Sequence, residues 1–203
     1  MSERRIQILE AAVRVIAQDG VRGLRVEKLA AAAGVSTALI YYHFTDRAGI
    51  LHAALEHINH RAVDYTERAL AESDPRRRLE RLLLLELQDT DEIRETSIAW
   101  GELRASAVFN PDLRDPLRAT THSWNTDIET LIRDAQGSGD LPTGIDATAA
   151  AERLTALTEG LSERWHSGSL TLDRARELLA GAITLELGTT PCGNPAPSLG
   201  TAS

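Results

Sequence analysis

Of the 203 residues, 42% are hydrophobic and 26% charged; one is Cys, and the formal net charge is −8. That length can bury a sizeable core, while a lone Cys excludes a disulfide framework and a cysteine-built zinc site. No uncharged apolar run can cross a membrane, Met1-Ser2-Glu3-Arg4-Arg5 leads straight into an amphipathic stretch rather than a secretory signal, and the acidic balance argues at first against nucleic acid. A cytoplasmic protein without a membrane partner is expected.

Helical periodicity dominates the chain. Ile6, Leu9, Val13 and Ile16 recur at three- and four-residue steps and mark one face of a first helix, ended by Asp19-Gly20. A short helix from about Arg25 to Ala33 stops at Gly34, and Ser36 is suited to cap a third through Phe44. Thr45-Asp46 opens a long helix to about Glu72, and Ser73-Asp74-Pro75 starts a fifth that contains Leu82-Leu83-Leu84-Leu85. Four adjacent leucines cover more than one face, so other helices should surround it. A sixth runs from about Asp91 to Phe109, and the next restarts at Asn110-Pro111 and ends near Gly137-Ser138-Gly139. Pro116 predicts a kink or split inside it. Two more helices follow, from Asp146 to about His166 and from Thr171 to Leu187. The Gly/Pro/Ser/Thr-rich stretch 188–203 should be a disordered tail. The expected fold is all-α, with about nine helices in two parts: a head over residues 1–46 and a helical domain over 47–187.

Local charge revises the first impression. Residues 1–60 carry seven basic and six acidic side chains, so the excess of acid lies almost wholly beyond them. Two short helices joined by Ala32-Ala33-Gly34-Val35-Ser36 have the form of a helix-turn-helix, in which the turn needs a small flexible residue. The second helix must offer its N-terminal residues to base edges, here Thr37, Ala38 and Leu39, while Ile40 turns to the core. Tyr41, Tyr42 and His43 can reach phosphate oxygens, as can Thr45 and Arg47 at the start of the next helix. Adjacent tyrosines on a helix point about 100° apart, so both cannot be core.

Residues 8–55 resemble the DNA-binding domain of TetR-family transcriptional regulators. The resemblance rests on Leu29-Ala30, Ala33-Gly34-Val35-Ser36, Ile40-Tyr41-Tyr42-His43-Phe44, Asp46-Arg47 and Leu51. It implies an all-α homodimer with two DNA-binding heads, a C-terminal pocket for a small effector, and in most cases a repressor that the effector releases from DNA. Such a dimer reads double-stranded operator DNA with roughly palindromic symmetry. Three positions depart from the family pattern. Arg25 stands where Thr or Ser normally touches phosphate, so the second helix loses its cap; Leu39 offers only apolar contact; and Arg47 replaces a common Lys.

The resemblance continues through Trp100-Gly101-Glu102-Leu103-Arg104-Ala105 and Asn110-Pro111-Asp112-Leu113-Arg114. Trp100, Phe109 and Trp124 are expected to line the effector cavity with Tyr65 and Leu103, and Glu86, Glu102, Arg104, Thr121 and His122 to supply polar contacts. The acidic balance of this half hints at a cationic or neutral effector. Apolar stripes on the last two helices predict a four-helix dimer interface. They comprise Ala147, Ala150, Ala151, Leu154, Leu157 and Leu161, then Leu178, Leu179, Ala182, Ile183 and Leu185. His57 and His60 lie three apart but lack an obvious third metal ligand, and Cys192 has no evident role. Neither a nucleophile–base constellation nor a phosphate-cradling Gly-rich loop stands out, so neither an enzyme nor a bound cofactor is expected.

Overall fold

The fold comes from a computed structural model, which describes residues 2–69 and 74–188, with the backbone alone over 60–69. Among the described residues there are nine α-helices, one 3-10 turn and no strand. Helix α1 (Glu3–Gly23) is N-capped by Ser2 and broken at Gly20, whose φ of +71° lies in the left-handed region. Helices α2 (Val26–Ala33) and α3 (Thr37–His43) meet across Gly34, at φ +64°. They are followed by α4 (Arg47–Ala69) and α5 (Pro75–Leu85). Helix α6 (Asp91–Ala107) leads through the 3-10 turn Pro111–Leu113 into α7 (Arg114–Ser138). Helices α8 (Ala147–His166) and α9 (Leu172–Leu187) complete the chain.

The expected split at Pro116 does not occur. Pro116 falls in the first turn of α7, where backbone N–H groups have no partner inside the helix and a missing donor costs nothing. The expected stop at Gly20 coincides with the break in α1, and one short turn, residues 21–23, follows it.

Two apolar clusters form the core. One gathers Ile8, Leu9, Ile16, Leu29, Ile40, Phe44 and Leu51 from the first four helices with Ala99, Leu103 and Ala107 of α6. The other joins Leu79 and Leu83 of α5 to Ile128 and Ile132 of α7, Leu154 of α8 and Leu179 of α9. The first cluster does not end at residue 46, because it needs α4 and one face of α6 to close. A polar clasp sits at the far end of the second. Arg76, 2% exposed, donates to the Leu187 carbonyl at 3.5 Å and the Gly188 carbonyl at 2.5 Å, and pairs with Glu80 at 3.0 Å. A cation at the carbonyl end of α9 complements the helix dipole.

Expectations for Tyr65, His60, Cys192 and the tail from 189 lie outside the described side chains or residues. Among the described residues no cluster of three or more His, Cys, Asp or Glu could hold a metal ion, and no helix is long and apolar enough to cross a membrane.

Candidate functional site

The helix-turn-helix is built from local rules. The Val35 N–H donates to the Ala30 carbonyl at 3.0 Å across the Gly34 turn, and the Ser36 hydroxyl accepts from Leu39 N at 3.2 Å. Ile40 and Phe44 are buried beneath α3, which aims the opposite face outward. Thr37, Ala38 and Thr45 are exposed, Leu39 and His43 half-buried. Tyr41 is 57% and Tyr42 81% exposed, so both hydroxyls are available to a partner, and His43 meets the Tyr42 ring edge-on at 5.1 Å. Arg25 is exposed and caps α2 without any side-chain hydrogen bond, as its departure from Ser or Thr implies.

Arg47 is exposed and also makes contacts within the head. Its Nε donates to the Leu24 carbonyl at 3.0 Å, and a second guanidinium nitrogen donates to the Val21 carbonyl. Its guanidinium thus closes the α1–α2 connection.

Helices α4 to α8 surround a cleft with about 990 Å³ of empty space, solvent mouth included. Trp100 and Trp124 form apolar walls, and Glu86, Asp127, Glu159 and Glu163 supply four carboxylates. No Lys, Arg or His stands among the described lining residues. The Thr96 and Ser162 hydroxyls line the same cleft and are buried with no hydrogen-bond partner among the described residues, an arrangement that favours an incoming polar group. Burial pushes the Glu159 carboxyl above its ordinary range, against the opposing pull of Arg104 and Trp100, and burial likewise raises Asp127. Arg104 stands behind Trp100, its guanidinium 5.3 Å from the ring centroid, and donates to Glu159 Oε1 at 2.5 Å and to Thr121 Oγ1 at 3.1 Å.

Of the effector residues expected from sequence, the cleft gathers Glu86, Trp100 and Trp124. Thr121 and His122 line a separate shallow depression with Arg104. Leu103 is buried in the cluster around α1, against which Trp100 also packs. Phe109 is 84% exposed, because α6 ends at Ala107 and the chain leaves the helix before Phe109 could face the cavity. Glu102 reaches α1, where its carboxylate accepts from Val21 N at 3.2 Å. Sequence reasoning missed Asp127, Glu159, Ser162 and Glu163. Their signal was spacing: Asp127 lies three residues beyond Trp124, and Glu159, Ser162 and Glu163 recur at helical steps.

The interface assignment needs correction. Ala147, Ala150, Ala151, Leu154, Leu161 and Leu179 are buried within the single chain, where α8 and α9 pack on α7 and α5, so no partner subunit can touch them. Leu157 and Ala182 are half-buried and Leu178 exposed. Ile183 is buried like Leu179, whereas Leu185 is 89% exposed.

Residues 8–66 match the family model of bacterial regulatory proteins of the tetR family, and residues 75–188 match the model of the C-terminal part of BetI-type transcriptional repressors. The HTH-type transcriptional regulator BetI of Pseudomonas aeruginosa is 30% identical over 173 residues, covering 84% of this chain and 83% of that protein. A TetR-family regulator from Rhodococcus sp. is 48% identical with a TM-score of 0.87, over 92% of this chain and all of the other. A regulator from Saccharomonospora viridis, solved in complex with choline, is 31% identical with a TM-score of 0.81, over 92% and 98% of the two chains. Matches spanning both the helix-turn-helix and the helices around the cleft make this chain a member of the TetR family of transcriptional regulators.

Proposed function

We propose that the chain is a homodimeric repressor that leaves a palindromic operator when a small organic cation occupies the cleft. The observation that carries this reading is the pairing of two indole rings with four carboxylates in a cleft without a cation among its described lining. An ammonium group near an indole face gains about 0.5–2 kcal/mol, more when water is excluded, and a carboxylate within reach adds to it. The choline bound by the Saccharomonospora relative has this chemistry.

The dimer would use the outer faces of α8 and α9. Leu157 and Gly160 on α8 and Leu178, Ala182 and Leu185 on α9 form the apolar part, and a Cβ at Gly160 or Gly181 would meet only open space. Two helices from each copy would complete a four-helix contact. Two heads related by a dyad would then read two half-sites, with Thr37, Ala38 and Leu39 toward the bases and Tyr41, Tyr42, His43, Thr45 and Arg25 toward the backbone. An effector that binds the non-DNA-binding arrangement more tightly shifts the population off the operator.

Footprinting on the DNA beside its own gene, with choline titrated, tests this reading. A two-fold symmetric protected site that choline erases is the expected result. A protected site that choline and other alkylammonium ions leave unchanged would remove the cationic effector.

A further inference from the structure

Helix α6 belongs to both halves of the molecule. Thr96, Ser97, Trp100 and Gly101 line the cleft, while Ala99, Leu103 and Ala107 are buried against the head's cluster. Glu102 follows directly on the cleft wall and is tied to the break in α1. Its Oε2 accepts from Val21 N at 3.2 Å, and a Cβ built at Gly20 would lie 2.8 Å from that same oxygen. Gly20 has φ +71°, a conformation that favours glycine, and an added Cβ would push the Glu102 carboxylate aside. The Gly20–Leu24 segment is gripped again from the other side, where Arg47 donates to the Val21 and Leu24 carbonyls. Arg47 opens α4, three residues after Phe44, which anchors the end of α3.

We infer that Glu102 is a positioning residue that couples the cleft to the DNA-reading helix. A rigid α6 carries any displacement of Trp100 and Gly101 to Glu102, and the Gly20–Leu24 segment hands it through Arg47 to the start of α4 and the end of α3. This rests on the effector reading above, and it adds a named route. A merely structural Glu102 would alter folding or one affinity; a coupling residue alters the dependence of one on the other.

The experiment compares wild type, Glu102→Leu and Glu102→Asp. Choline binding is read by tryptophan fluorescence, and operator binding is read with and without choline. In wild type, choline should weaken operator binding about tenfold or more. In Glu102→Leu, which has no acceptor for the Val21 N–H, both separate affinities should stay within about twofold, while the choline effect shrinks to a similar size. Glu102→Asp, which keeps an acceptor at shorter reach, should fall between. A ligand-free arm uses Ser123→Trp to fill the cleft, which should shift operator affinity in the wild-type background and not beside Glu102→Leu. Equal shifts in both backgrounds would overturn the inference. If neither choline nor Ser123→Trp alters operator binding in an otherwise wild-type chain, the effector reading falls and the route falls with it.

Discussion

The Trp100 indole donates to Glu159 Oε1 at 3.2 Å, so one wall of the cleft is hydrogen-bonded to one of its acids. That carboxylate is held above its usual pKa chiefly by burial. The folded chain therefore keeps a proton there more readily than the unfolded chain does. The group's contribution to folding is greatest below the ordinary carboxylate range and is lost as pH rises through the raised value. A bound cation needs the ionised form. Choline affinity should therefore climb as pH rises through that raised value and then level off. Glu159→Gln should weaken binding by about tenfold, or ~1.4 kcal/mol, and flatten the climb. Titration by tryptophan fluorescence across pH checks both; an unchanged profile would remove Glu159 from the binding set.

On the head, the two exposed tyrosines lead to a different measurement. Tyr42→Phe should lower affinity for all DNA sequences alike, because a phosphate contact carries no sequence information, and leave the salt slope unchanged, because a neutral hydroxyl releases no counterion. Leu39→Ala should instead change which operator bases matter. Selection from a random oligonucleotide pool separates the two, and an unaltered base profile for Leu39→Ala would exclude that side chain from readout.

Arg47 acts first on the fold of the head. Removing it in Arg47→Ala leaves the Val21 and Leu24 carbonyls without their charged donor. The cost should be about 2 kcal/mol, seen as a lower melting temperature before any DNA is added. Ser36→Ala removes the α3 cap and should cost about 1 kcal/mol. If Arg47→Ala melts like wild type yet loses DNA affinity, the guanidinium serves phosphate after all.

The outer and inner faces of α8 and α9 should respond in opposite ways. Leu185→Asp should yield a folded monomer in light scattering, since that side chain touches little of its own chain. Leu154→Ala, in the closed core, should cost about 2–5 kcal/mol through the cavity it leaves, with the dimer intact in whatever fraction stays folded. A Leu185→Asp protein that remains dimeric would move the interface elsewhere.

The order of helices was legible because Gly, Pro and capping residues punctuate the chain where periodicity changes. Gly34 and Ser36 are local signals, and they placed the turn to the residue. Cleft membership was less legible, because it depends on how far a helix runs and how it is rotated. Phe109 fell outside because α6 ends two residues earlier, and Leu103 turned inward, about a sixth of a turn from Trp100. Arg47 has the residue type of a phosphate ligand, yet nothing local reveals that the carbonyls of Val21 and Leu24 would fold back against it. Leu154 and Leu179 were apolar and periodic, as an interface residue or a core residue would both be. Only the packing of α8 on α7, and of α9 on α8 and α5, decides between them.

Arg76 has a topological consequence. It opens α5 and holds the last carbonyls of α9, so the stretch from 75 to 188 begins and ends at one spot, fastened by a single guanidinium. Helices α5 to α9 thus form a loop of chain whose two ends are neighbours. Loops of this kind tolerate rearranged connectivity. A chain joined and reopened at this clasp should therefore still close the cleft, provided that α4 stays in its wall and α6 stays in the head's core.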